Sequence, residues 1–239
     1  MDSSSSEVID FVSLPKLELH AHLSGSISRQ CLHEVWLQKW ERGETTMQDP
    51  LVEMPVGKFD YDSETFFPLF SKYIYALVND LASLIYTTNS VLSDFQADGV
   101  IYLELRTTPR AIPSAGITKE IYVQTILDCI AQHNTANGSM KTNLILSIDR
   151  RNDAQTAIDV VELAYKYHGK GVVGIDLCGD PSTDDVGVFG SKLSDEYALV
   201  AKYFHLDRSA ICKLARSGID SIFGGEGDRE RLRRVMWMG

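Results

Sequence analysis

Apolar and polar residues take turns from Leu17 to His22. In a strand that puts Leu17, Leu19 and Ala21 on one face and Glu18, His20 and His22 on the other. Ser24-Gly25-Ser26 breaks the alternation, so the strand is predicted to end in a turn and feed a helix. From Ser26 to Trp40 the apolar residues Ile27, Cys31, Leu32, Val35, Trp36 and Trp40 recur at helical spacing, with Ser26 or Ser28 as the cap. Residues 41–63 carry Pro50, Pro55 and Gly57 without a sustained period and read as a long loop above the strand ends, of the kind that forms lids. Phe66, Phe67, Phe70, Tyr73, Ile74 and Leu77 mark a second helix. Leu81, Leu84, Ile85, Leu92 and Phe95 mark a third, stopped by Gly99.

A second strand is predicted from Val100 to Thr107, with Ile101, Leu103 and Leu105 on one face and Tyr102, Glu104 and Arg106, the last two paired, on the other. A helix from Thr118 to His133 is expected to bury Ile121, Ile126, Leu127 and Ile130. A third strand, Asn143 to Asp149, ends in an acid beside Arg150 and Arg151. The helix from Asp153 to Tyr167 is expected to bury Ala157, Ile158, Val161 and Leu163 or Ala164. A fourth strand, Val172 to Cys178, stops at Gly179-Asp180-Pro181. Short β-branched runs spaced by helices imply βαβ units and a parallel sheet. Beyond Pro181 the rhythm fails, and the rest reads as helices capped by Ser194 and Asp207 and a last one from Asp228 to Met236.

Composition narrows the class. With 239 residues, 44% of them hydrophobic, the chain is long enough for a sizeable core. A net charge of −10 and a pI near 5.0, with basic residues grouped only near the end, exclude wholesale binding of a nucleic-acid polymer. Cys31, Cys129, Cys178 and Cys212 are scattered, which points to reduced thiols and a cytoplasmic protein rather than a disulfide frame. No apolar run is long enough to cross a membrane. Residues 1–13 are expected to be a disordered tail and 14–239 a single domain.

The chemistry begins with His20 and His22. Two imidazoles on one face at the carboxyl end of a strand can supply two ligands to a zinc ion, although His-x-His alone is equally a strand with two half-buried histidines. Other barrel hydrolases also open with His-x-His, so a metal-dependent phosphoesterase is an alternative reading.

Four motifs in order favour a different reading. Glu18-Leu19-His20-Ala21-His22-Leu23 with Gly25-Ser26, Tyr102-Leu103-Glu104-Leu105-Arg106 with Thr108-Pro109, Ile175-Asp176-Leu177 with Gly179-Asp180, and Thr183-Asp184-Asp185 with Gly187-Val188-Phe189 resemble the adenosine and AMP deaminase family, in its adenosine deaminase-like, N6-methyl-AMP deaminase branch. The resemblance implies a TIM-type (β/α) barrel with one catalytic zinc at the strand ends and hydrolytic removal of the amine from a purine nucleoside or nucleotide. It makes His20, His22 and Asp184 metal ligands. His22, Ser24, Thr107, Thr108, Pro109, Arg110, Asp149, Gly179 and Asp185 would contact the substrate. Ser24 stands where the branch commonly has Asn, and Ile74 or a neighbour where several members carry a substrate-facing His.

The resemblance also calls for a His-x-x-Glu element, which completes the zinc shell and carries the proton, and a His-Gly element, which orients water. Neither is read here. His33, His133, His168 and His205 fall on helices or their ends and are expected to be solvated. An internal deletion between Ser182 and Thr183 accounts for this, leaving about four of eight strands and a helical tail. Such a chain is expected to show impaired activity or none, to expose two sheet edges and an apolar inner face, and to self-associate. The alternative is a non-catalytic nucleotide-binding or regulatory half-barrel.

Overall fold

The computed structural model describes residues 9–55, 63–178 and 192–238. Four strands, β1 (Lys16–His22), β2 (Val100–Thr107), β3 (Lys141–Asp149) and β4 (Val172–Cys178), form one parallel sheet in the order β1-β2-β3-β4. Each strand lies beside the one before it, as consecutive βα units place them, and four strands are half of an eight-stranded barrel's complement. Between β1 and β2 lie α1 (Arg29–Glu41), α2 (Pro50–Glu53), α3 (Ser63–Leu77) and α4 (Leu81–Ala97); α5 (Lys119–Asn137) and α6 (Ala154–Tyr167) follow β2 and β3. The tail holds α7 (Leu193–Phe204), α8 (Arg208–Ser217), a 3-10 turn (Gly218–Ser221) and α9 (Glu226–Val235). The loop expected over 41–63 thus holds α2, whose start Asp49 caps by accepting from the Leu51 N–H. Residues 56–62 of that loop lie outside the described residues.

Local chemistry explains the helix starts. Ser28, Asp80, Thr118, Asp153 and Asp207 each accept a backbone N–H from the first turn of the helix that follows. Gly99 turns α4 into β2 at φ +80, and a Cβ there would meet the Val12 carbonyl oxygen at 2.1 Å, so this turn tolerates only glycine. Residues 10–13, inside the span expected to be a tail, make a turn. Its carbonyls at Phe11 and Val12, with that of Leu14, accept from the buried Lys16 ammonium. Burial pulls the pKa of Lys16 down.

The two faces of the sheet are covered differently. Leu103, Leu105, Leu144 and Leu146 join the helix layer, packing with Leu32 and Val35 of α1, Tyr73, Ile74 and Leu77 of α3, Leu92 of α4, Ile126 of α5 and Val160 of α6. Side chains of the other parity, Leu17 and Tyr102 among them, pack against Ile211 and Ala215 of α8, Ile219 of the 3-10 turn, Ile222 just after it and Leu232 of α9. The expected bare inner face is therefore not bare: the tail covers its amino-terminal half. A polar lock fixes it there. Glu104 Oε1 accepts from the Tyr102 hydroxyl (2.8 Å) and the Phe223 N–H (2.6 Å), while the Tyr102 oxygen accepts from Gly224 N–H (2.9 Å) and Asn143 Nδ2 (3.0 Å). Gly174 of β4 lies under the Phe223 ring.

Coverage runs out at β4. Ile175 and Leu177 are 47% and 59% exposed, and Ile158 and Val161 of α6 are exposed rather than buried as their spacing suggests. The face of α6 that packs inward carries Val160, Ala164 and Tyr167 instead. No described element lies beyond β4 to cover these apolar side chains, so a helical stripe that would serve two neighbours serves one. Ile121 of α5 is exposed as well, and Trp40 stacks on Trp36 with its outer side in solvent.

Two further expectations are corrected. Arg106 pairs with Asp176 rather than Glu104, because Glu104 is taken by the tail. The helical histidines are not all solvated: His33 Nδ1 meets Asp49 at 2.9 Å, and His133 is 7% exposed, with neither ring nitrogen hydrogen-bonded. His133 lies on the line of Val123, Ile126 and Ile130, all buried, so it occupies a core position of α5.

Glu104→Ala leaves the Phe223 N–H and the Tyr102 hydroxyl without an acceptor, and each buried orphan costs about 1–3 kcal/mol, so this variant is expected to lose about 2–4 kcal/mol in urea unfolding. Glu104→Gln keeps an oxygen there and should lose less than about 1 kcal/mol. Equal losses would mean that the lock is not what fixes the tail. Burial depresses the pKa of His133, so below the ordinary histidine value the unfolded chain takes a proton that the folded chain refuses. Stability is expected to fall as pH drops below about 6.5, by up to about 1.4 kcal/mol per pH unit from this residue. Urea midpoints at pH 7.5 and 5.5 should differ less for His133→Phe than for the parent; an identical pH dependence rules the effect out.

Candidate metal and nucleotide site

The uncovered carboxyl half of the inner face brings together residues from β1, β2 and β4. Along β1, Glu18 is opposite Leu103 but Ala21 is opposite Leu105, so β1 carries one extra residue, a bulge. The extra residue places His22 opposite Arg106, on the inner face, and His20 follows it there. The two rings lie 5.5 Å apart between centroids and 50° from parallel. From β4, Asp176 reaches the same space, and one ligand atom from each of His20, His22 and Asp176 lies within 4.8 Å of the others. Arg106 Nε donates to Asp176 Oδ2 at 2.6 Å, and its Nη1 donates to the Leu19 carbonyl. The second Asp176 oxygen, Oδ1, is buried without a hydrogen-bond partner among the described residues.

A divalent ion fits this set. Imidazole nitrogens and a carboxylate oxygen are borderline ligands suited to zinc, and an orphaned carboxylate oxygen beside two imidazoles is an acceptor lacking its cation. Ligands at about 2.1 Å from a tetrahedral ion stand about 3.4 Å apart, so the side chains have to close by about 1 Å or a little more.

The remaining sequence candidates divide. Thr107 turns into the helix layer, its hydroxyl 3.0 Å from that of the buried Tyr122. The Arg110 guanidinium donates to the Val78 carbonyl and lies 5.1 Å from the centre of the Tyr75 ring. Thr108 stays on the rim with its hydroxyl 3.4 Å from Cys178 Sγ, Pro109 is buried, and Ser24 is exposed in the turn after β1. Asp149 ends β3 and is gripped by Arg151 through Nε and Nη2, which holds its carboxyl below the usual carboxylate range. Gly179, Asp184 and Asp185 lie outside the described residues, as does the Ser182–Thr183 junction. Ile74 is buried among core side chains. The one literal His-Gly pair, His168-Gly169, follows α6 and precedes β4, at the opposite end of the sheet from His20.

Sequence reasoning passed over Asp176 as a ligand although its motif was in view. The available signal was parity: Gly174, Asp176 and Cys178 alternate along β4, and Asp176 falls in the carboxyl half, where side chains of a parallel sheet reach ligands.

A family model described as adenosine deaminase matches residues 15–182, more than half of the chain. The chain belongs to the adenosine deaminase family. Within it, the chain is 35% identical over 198 residues to the N6-mAMP deaminase of Arabidopsis thaliana, covering 74% of this chain and 55% of that protein. It spans about half the length of the curated relatives it matches. A crystal structure of Arabidopsis N6-mAMP deaminase superposes with a TM-score of 0.83 and 26% identity, over 94% of this chain and 98% of the other. A crystal structure of Arabidopsis ADAL complexed with IMP superposes with the same TM-score at 25% identity, over 94% and 96%. The deaminase family carries a β/α barrel of metal-dependent hydrolases, and the four-stranded sheet is a part of one. Among the described residues, no helix is long and apolar enough to cross a membrane.

Proposed function

We propose that this chain is a partial deaminase barrel that binds zinc and a purine nucleotide at the carboxyl ends of its strands and turns the nucleotide over slowly or not at all. The convergence of His20, His22 and Asp176 on one open face carries the reading. Zinc, when bound, supplies a Lewis acid at the strand ends. His20 and His22 hold it through neutral ring nitrogens, with a carboxylate as the third ligand. The nucleotide then lies along the rim formed by Thr108, the backbone of Thr107 to Arg110 and Asp149, and the family resemblance adds Gly179 and Asp185 as contacts. Relatives named as N6-methyl-AMP deaminases and a relative solved with IMP support a purine monophosphate as the ligand.

What the site lacks is a group to hand the purine a proton. Among the described residues, Asp176 is engaged by Arg106, Asp149 by Arg151, and Glu104 is sealed beneath the tail, where burial raises its pKa. The sequence holds no His-x-x-Glu. A missing positioned general acid costs about 10²–10⁴ in rate. An internal deletion near 182 fits three observations together: the family match ends there, β4 has an uncovered outer face, and the structural match reaches across almost the whole of a relative that the sequence match half covers.

With fewer ligands than a full barrel offers, zinc is expected to leave the chain on dialysis against a mild chelator, measured by elemental analysis. His20→Ala and His22→Ala should each abolish zinc uptake, and stoichiometric zinc that survives chelation would overturn the proposal of a depleted site. IMP and N6-methyl-AMP are expected to bind in calorimetry, while methylamine or ammonia release from N6-methyl-AMP, AMP and adenosine stays at the level of a zinc-only blank. Inserting a relative's missing segment between Ser182 and Thr183 should raise turnover by several orders of magnitude, since ligand, acid and water-orienting group return together. A 239-residue chain as fast as the restored protein would show that another residue supplies the proton. Phosphate release from the nucleotide would favour the phosphoesterase reading instead.

A further inference from the structure

We infer that Asp176 is the third metal ligand of this chain, through Oδ1, with Arg106 holding the other oxygen. This rests on the proposal that His20 and His22 bind zinc, and it names the carboxylate that joins them. Three features of the geometry converge. Asp176 contributes the third ligand atom of the group within 4.8 Å. Its Oδ2 is committed to Arg106 Nε, and Arg106 is itself anchored by its Nη1 to the Leu19 carbonyl of the strand that carries the histidines, so the carboxylate is oriented from two sides. Its Oδ1 is buried and has no hydrogen-bond partner among the described residues, which is unfavourable for a charged group unless something electropositive meets it. The neighbour best placed to do so by register, Ser147 on β3, does not: its hydroxyl is also buried without a partner.

A carboxylate that gives one oxygen to a guanidinium and the other to a metal is an ordinary ligand with an outer-sphere partner. That of Asp176 also stands beside the histidines without rearrangement of the strand. It lies on the inner face with them, whereas Asp184 falls outside the described residues. The third ligand in this chain therefore comes from β4 itself.

The test is a cobalt(II) and zinc(II) titration of the full chain and of its variants, read by calorimetry and visible absorption and independent of turnover. Asp176→Asn preserves shape and an acceptor for Arg106. It is expected to weaken metal binding by at least about 100-fold, since loss of outer partners alone costs about 10–100-fold. It should also replace the intense absorption of a four-coordinate cobalt centre with the weak absorption of a six-coordinate, water-rich one. Asp184→Asn should leave both readouts unchanged. Asp176→His, which returns a strong ligand, should recover affinity and shift the absorption bands, and this holds the test open if Asp176→Asn binds poorly because it folds poorly. If His20→Ala abolishes binding while Asp176→Asn matches the parent, the histidine site stands and the assignment of Asp176 is wrong. If Asp184→Asn instead loses the metal, the third ligand lies beyond β4. If no variant, nor the parent, takes up either metal, the underlying proposal of a metal site falls with it.

Discussion

A parallel sheet has to be covered on both faces, and in this chain one cover arrives from far along the sequence. The helices between the strands bury Leu103, Leu105, Leu144 and Leu146. The opposite face depends on α8, α9 and the turn between them, locked down where Glu104 and Tyr102 receive the N–H groups of Phe223 and Gly224. Apolar packing of Leu17 and Tyr102 against Ile211, Ile219 and Leu232 supplies most of the driving force, and the lock fixes the register of tail on sheet. Because the described tail stops half-way along the strands, no described residue of it covers their carboxyl ends. The site exists as a surface because of where that cover ends.

The same division decides what the sequence reveals. The four strands and the caps at Ser28, Asp153 and Asp207 are local events, written in alternation and in a single side chain meeting the next turn, and their positions read correctly. The faces of β1 do not: the bulge leaves Leu17 on the inner face with Tyr102 and Ala21 in the helix layer, although alternation put them together. Ser194, read as a cap, lies inside α7 and bonds Asp98 instead. The tail's helices were legible too, yet their seat on the inner face was not, since nothing local distinguishes a helix that closes a barrel from one that fills it. Arg106 looked like the partner of Glu104 two residues away. Its true partner is 70 residues distant, and only the parallel register of β2, β3 and β4 brings them together.

His133 illustrates the opposite failure. Its spacing from Val123, Ile126 and Ile130 announced a buried position, and the polar residue type overrode the pattern. The exposed Ile158, Val161, Ile175 and Leu177 fail in the other direction: their pattern is that of buried residues, and no described element buries them. Asp176 stands between these cases, visible in a motif and by parity, but given its place only by the bulge that swings His22 opposite Arg106.

The lock between Glu104 and Phe223 closes a separation of 119 residues. During synthesis at about 5–20 residues per second, all four strands have emerged from the ribosome while the segment that covers their inner face is still being made. For those seconds the nascent chain presents Leu17 and Tyr102 to solvent or to whatever chaperone is at hand, and no rearrangement of the strands alone can hide them. The order in which the message is read therefore makes completion of the last forty-odd residues, rather than formation of the sheet, the step that commits this protein to its native state.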